Sequence, residues 1–312
     1  MVRMNGRNQK RTWLVLEAAS TPVGRVAART LRGRLEAVWT ELAAAVHDPG
    51  DAERVHRLRV ATRRTLAAFD VFRDLMPPKR SAWFERRLAE IRRAAGDARD
   101  LDVLTGRLSS PRNPRPKAAA RSRLVAMLAR QRDDSRAPIH DLHGRLVAAG
   151  WCDRVDALLA RIPAGSRQPS FEAYAREHFK PIVDRFFAKA DRKLHDDDDV
   201  HRLRIAGKKF RYALEIFAPV IPQRSRVRCH EALERLQETL GEFTDHASAA
   251  DRFRRMSRDR RIGLDVDALE GLCRTESALA AEARKAFVKW WDGRRRRDLR
   301  RTIERSIGRR SA

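Results

Sequence analysis

Cysteine is scarce in this chain of 312 residues: Cys152, Cys229 and Cys273 are widely spaced, odd in number and form no Cys-x-x-Cys pair. Neither a disulfide framework nor a thiolate zinc site follows from them, and a reducing cytoplasm is the expected location. Long apolar runs are also missing, since nothing approaches the ~18 consecutive apolar residues that a membrane span needs. Residues 1–11 are basic like the opening of a secretion signal, but the apolar run behind them, Trp13 to Leu16, stops at Glu17 and is too short for one. Aromatic residues make up only 6% of the chain, and its 42 acidic residues are outnumbered by 68 Lys and Arg, for a net charge of +26. Glycine and proline are few and clustered, and no long segment alternates apolar with polar residues. Strands therefore have no evident place, and the sequence reads as all-α.

What is present is a duplication. Val55-His56-Arg57-Leu58-Arg59 returns unchanged as Val200-His201-Arg202-Leu203-Arg204. The same offset relates Val60 to Ile205, Arg63 to Lys208, Arg64 to Lys209, Asp70 to Glu215 and Phe72 to Phe217, and still holds at Gly96 with Gly241 and Asp100 with Asp245. At least two consecutive elements were therefore copied together, which implies two similar subdomains of roughly 150 residues each, a normal size for one core. With 42% hydrophobic residues the chain can bury two helical cores, and with 35% charged residues its exposed faces are heavily ionised.

Gly and Pro clusters divide the chain into expected helices over residues 22–46, 51–76 and 81–108, with Thr21 capping the first and Pro22 near its N1 position. A break at 111–116 precedes a fourth helix, or a broken pair, over 117–162. After a linker at 163–169 the plan repeats with helices at 170–194, 199–217, 224–257 and 267–310, the last open to interruption near Gly293. Short connections between long amphipathic helices favour antiparallel neighbours. The expected organisation is thus an N-terminal tail at 1–20 and two tandem four-helix bundles, residues 21–162 and 170–312.

On the duplicated helix, a rotation of about 100° per residue gathers Leu58, Ala61, Thr65, Phe69 and Phe72 on one side, the expected core face. His56, Arg59 and Arg63, at i, i+3 and i+7, cluster on nearly the opposite side, and His201, Arg204 and Lys208 do so on the copy. Arg57, Arg64, Arg202 and Lys209 flank the two rows. Like charges one turn apart repel, and no acid interrupts residues 56–69 to relieve them. Arginine outnumbers lysine by 58 to 10, so a solvated face in an arginine-rich chain is one reading; recurrence of the row with its histidine favours a polyanionic ligand. Each histidine is either a structural donor or a ligand donor whose affinity strengthens on mild acidification.

These residues resemble the CHAD family, the conserved histidine α-helical domain. Its motif, Val-His-x-x-Arg-Val-x-x-Arg-Arg-x-Arg followed by Leu-Gly-x-x-Arg-Asp-x-Asp-Val-Leu, is met by residues 55–64 and by Gly96-Asp97-Ala98-Arg99-Asp100-Leu101-Asp102-Val103-Leu104. It is met again by residues 200–211 and by Leu240-Gly241-Glu242 with Asp245. The chain departs from it at Leu66, where the last arginine of the helix often stands, and at Thr244, which replaces the counterpart of Arg99. The resemblance implies two four-helix bundles related by a pseudo-twofold axis, with the basic helices lining a central groove or pore that binds inorganic polyphosphate. The ligand contacts it implies are His56, Arg59, Arg63 and Arg64 from one half and His201, Arg204, Lys208, Lys209 and Arg211 from the other. Arg57, Arg99 and Arg202 are weaker candidates.

Such a ligand suits the residues themselves. A polyphosphate chain has no bases to stack, and neither basic row contains an aromatic; Trp39, Trp83, Trp151, Trp290 and Trp291 read as core, with Tyr212 the nearest exception. Guanidinium forks match phosphate oxygens. The expectation is a non-enzymatic binder with no cofactor, associated with polyphosphate granules and with polyphosphate-metabolising enzymes. Two alternatives stay open. One is non-specific DNA or RNA binding, because a basic chain attracts any phosphate polymer. The other is an accessory role to, or activity as, a polyphosphate- or triphosphate-metabolising enzyme; against activity, Gly207-Lys208-Lys209 lacks P-loop spacing. The acid run from Asp196 to Asp199 reads as a helix cap rather than a metal site. His140 and His143 read as a surface pair, and the arginines from Arg294 to Arg310 as a frayed, solvated tail.

Overall fold

The computed structural model describes residues 18–108, 118–192, 194, 196–259 and 265–307. The tail at 1–17, the break at 111–116 and the last arginines at 308–310 lie outside the described residues. The described chain is helical throughout, with a single isolated bridge between Pro22 and Ser170. In order run α1 (Val23–His47), α2 (Ala52–Val71), α3 (Pro78–Leu108), α4 (Ala118–Asp134), α5 (Ala137–Ala148), α6 (Trp151–Leu159), α7 (Phe171–Ala190), α8 (Asp197–Ile216), α9 (Gln223–Arg258), α10 (Val266–Trp290) and α11 (Gly293–Ile307). No helix among the described residues is long and apolar enough to cross a membrane.

Capping explains several boundaries. Asp51, Ser170, Asp196 and Asp265 each accept a backbone N–H of the first turn of the helix that follows, at 2.7–3.2 Å. Pro22 is the residue flanking α1 rather than its first helical residue, because the chain there is held extended: Val23 N–H donates to Pro169 and Phe171 N–H to Thr21. The segment at 163–169 is therefore pressed against the start of α1. A Cβ on Gly24 would sit 1.6 Å from the Pro163 carbonyl oxygen, so only glycine admits this crossing.

Residues 117–162, expected as a fourth helix or broken pair, hold α4, α5 and α6. α4 turns back along the outer part of α3, and α5 returns to pack on α1 and α3. In the second half α10 lies along α9, and the chain breaks at Trp291-Asp292 before α11, which packs on α7 and α9. The frayed-tail expectation is corrected for residues 293–307. Leu299 and Ile303 are buried, and Arg300 reaches Asp191, just past the end of α7, at 2.9 Å, so an apolar stripe docks this helix despite its arginines.

One apolar core runs through both halves, from Val23 on α1 to Ile303 on α11. A second, separate core joins the outer ends of the long hairpins, packing Leu101, Leu104 and Leu128 of α3 and α4 against Phe253, Leu269 and Leu272 of α9 and α10. Beside it Glu276 of α10, fully buried, accepts from Arg107 of α3 at 2.7 Å and pairs with His246 of α9 at 2.6 Å. The halves thus meet at the α2 and α8 helices and again at the hairpin tips.

Candidate anion-binding site

On α2 the core side chains are Val55, Leu58, Thr62, Thr65 and Phe69, with Ala61 only part-buried. The two threonines satisfy their hydroxyls on carbonyls one turn back, at 2.8 and 2.9 Å, so burying them costs little. His56, Arg59 and Arg63 are left on a flank away from the core that does not face open solvent. They are half-buried, because α3 covers one end of the row and α8 the other. Arg59 Nη1 donates to the Gly96 carbonyl at 3.3 Å and to Asp100 at 3.2 Å, both on α3. Arg63 Nε donates to the Tyr212 hydroxyl on α8 at 3.3 Å.

The second row comes to the same place from the other side. Arg204 lies against Gly241 and faces Asp245 on α9. Its electrostatic neighbours include Arg63 and Arg59 of the first half, and those of Lys208 include Arg204, Arg63 and Arg59. Four cations from two helices therefore share one region. Burial first, then Arg204, Arg63 and Arg59, push the Lys208 ammonium down to about 7, with Asp245 opposing. Burial, then the Arg99 guanidinium, hold the His56 imidazole below its ordinary value; Glu53 opposes them, and Arg63 and Arg59 add to the effect. Burial raises the Tyr212 hydroxyl, but Arg63 and Arg211 outweigh it and leave the phenol below its usual range.

Other expected site residues are placed differently. Arg64 is fixed to the fully buried Glu215 of α8, at 3.1 Å, and Arg34 of α1 approaches the same carboxylate at 3.6 Å. Lys209, the counterpart of Arg64, pairs with Asp70 of α2, the counterpart of Glu215, at 3.5 Å. His201 is exposed, unlike His56. Arg202 is also exposed and pairs with Asp199 at 2.7 Å, while Arg57 pairs with Glu41 at 3.4 Å. Arg211 lies over the Tyr212 ring, 5.1 Å from its centroid. Of the weaker sites, Asp196 caps α8, accepting from Asp199 N–H at 2.7 Å, and His143 stacks on Trp39 with His140 exposed.

The 55–64 and 96–104 segments are thus one assembly, a helix whose cations lean on the next helix. The family model of the CHAD domain matches residues 13–254. The chain belongs to the CHAD domain family. A crystal structure of the CHAD domain from the plant Ricinus communis shares 22% identity, covers 93% of this chain and 94% of its own, and superposes with a TM-score of 0.66. PptA from Streptomyces chartreusis shares 18% identity over 87% of this chain and 99% of its own, with a TM-score of 0.60. At these identities the likeness is one of fold. No curated protein matches the sequence.

Two departures from the CHAD motif have structural consequences. Leu66 is partly buried against the core, so the first row ends one cation earlier than the second, which has Arg211. Thr244, the counterpart of Arg99, turns its hydroxyl back to the Leu240 carbonyl at 3.0 Å and carries no charge. Sequence reasoning missed Arg34, the Tyr212 acceptor and the role of Asp102. Asp102 is buried and holds Arg136 through both oxygens, at 2.8 and 3.0 Å, and Arg132 at 2.7 Å. The retained acid at 70 and 215 was the one available signal for the interhelix pairs.

Proposed function

We propose that this CHAD domain binds inorganic polyphosphate without transforming it, in an opening between two helical bundles related by a pseudo-twofold axis. The bundles are α1, α2, α3 and α5, and α7, α8, α9 and α11. The reciprocal pairs Arg64 with Glu215 and Lys209 with Asp70 support the axis, since two related helices in contact pair i with j and j with i. The observation that carries the reading is the convergence of Arg59, Arg63, Arg204 and Lys208 from both halves, where burial and then the neighbouring guanidinium groups hold the Lys208 ammonium down at about 7. A linear phosphate polymer neutralises such a row along its length and restores the charge on Lys208. Asp100 and Asp245, the acids nearest the row, are engaged by Arg59 and Arg204, which favours binding over catalysis. Granule targeting and contact with polyphosphate-metabolising enzymes follow from the same affinity.

Nucleic acid is the alternative polymer. Single-strand binders gain about 1–3 kcal/mol per stacked base, and the one aromatic beside the cations, Tyr212, is buried with Arg211 over its ring. Polyphosphate affinity measured across a salt series, for wild type and for Arg59→Ala/Arg204→Ala, tests the site. The double variant should show weaker binding and a salt slope shallower by roughly one to two. An unchanged slope removes both helices from the ligand, and displacement of polyphosphate by duplex DNA or RNA at equal phosphate concentration removes the ligand. Incubation with polyphosphate and magnesium should release no orthophosphate.

A further inference from the structure

The flank of α8 turned away from the shared cations borders a cavity of about 510 Å³, roofed by α7 and closed by the end of α2. Rotation by about 100° per residue separates the two flanks: Arg204 and Lys208 face the row, while Ile205 and Lys209 face the cavity. Its floor is apolar, with Phe186, Val71 and Ala206, and Ile205 on that floor is 43% exposed. Its rim is cationic, with Arg185 and Lys189 of α7 beside Arg202 and Lys209 of α8. Asp70 is the acid that lines it, and it is engaged by Arg73 at 2.9 Å and Lys209 at 3.5 Å.

The duplication supplies an internal control. Buried residues of α1 and α7 align in one register, Val23, Val26, Leu31, Leu35 and Val38 with Phe171, Tyr174, Phe179, Val183 and Phe186. In that register Ile182 replaces Arg34 and Lys189 replaces Glu41, and between α2 and α8 Ala67 replaces Tyr212. In the first half Arg34 and Tyr212 occupy the corresponding space, and Glu41 neutralises Arg57 at 3.4 Å. In the second half the small side chains leave the space open. Lys189 stands where Glu41 does, and Arg202 takes its acid from its own helix instead, Asp199 at 2.7 Å.

We propose that this cavity binds a small organic phosphate, an anionic head on an apolar or aromatic body, at a site separate from the shared cation row. The volume fits one such molecule, and an apolar floor with a few convergent charges is the usual make-up of a ligand site. The head sits between Arg185, Lys189 and Arg202, and the body covers Ile205 and Phe186. Neither phosphate alone nor the body alone satisfies both surfaces.

Calorimetric titration with 1-naphthyl phosphate, with and without excess polyphosphate, tests this, using 1-naphthol and inorganic phosphate as the separated parts. The expected result is one site per chain, unaffected by polyphosphate, with each separated part binding at least tenfold more weakly. Arg185→Ala/Lys189→Ala and, independently, Ile205→Asp should each weaken it tenfold or more, with thermal melts showing that both variants fold. Absence of binding, displacement by polyphosphate, equal binding of either part, or indifference to both variants would overturn the proposal.

Discussion

Lys208 is the residue at which the charge of the site is most finely balanced. Its folded pKa of about 7 lies below the ordinary 10.5, so between those values the unfolded chain holds a proton that the folded chain releases, and stability should rise with pH across that window. A bound polyanion reverses the depression. Binding above pH 7 therefore takes up a proton, and affinity should fall by up to tenfold per pH unit as pH climbs from about 7. Calorimetry at pH 8 in buffers of different ionisation enthalpy should register this uptake, and Lys208→Arg should abolish both the uptake and the slope. A flat wild-type profile would mean that the polymer does not reach Lys208. His56, depressed by burial and Arg99, adds a further increment only below its ordinary value of 6.5. The cations themselves were legible in the sequence because they sit in a repeated, acid-free row. Their burial was not, because a helical wheel assigns an outward face without knowing that α3 and α8 lie across it.

At the scale of elements, α3 carries two acids with different fates. Asp100 is 70% exposed beside Arg59, and exposed ion pairs of this kind contribute about 0–1 kcal/mol. Asp102, at 2% exposure, neutralises Arg136, itself 9% exposed, which in turn donates to the Pro49 carbonyl. This one carboxylate fastens α3 to the α4–α5 corner and to the turn before α2. Asp102→Ala strands a buried guanidinium and should cost about 3–5 kcal/mol in urea unfolding, whereas Asp100→Ala should cost less than about 1 kcal/mol. Equal costs would refute the division. Helix existence and most boundaries were readable from caps and periodicity, as at Asp51 and Ser170. The three-helix content of residues 117–162 was not, since Gly150, the αL residue that separates α5 from α6, carries no distinguishing neighbour pattern.

For the whole molecule, the duplication announced two similar halves but not how they join. A repeat offset matches each residue of one copy to its counterpart in the other and says nothing of the contact between copies, which rests here on Arg64 with Glu215, Lys209 with Asp70, and the distant hairpin-tip core. Tyr174 of α7 adds a further tie, donating to the Val71 carbonyl of α2 at 2.6 Å. Because the main core is continuous from α1 to α11, neither half presents a closed apolar surface of its own. The chain should therefore unfold in a single calorimetric transition whose calorimetric and van't Hoff enthalpies agree. Under the proposed function, polyphosphate bound by cations of both halves should raise the temperature of that whole transition rather than part of it. Two resolved transitions, or a ligand shift confined to one, would show that the halves fold independently and that the shared cation row is assembled only when the ligand draws them together.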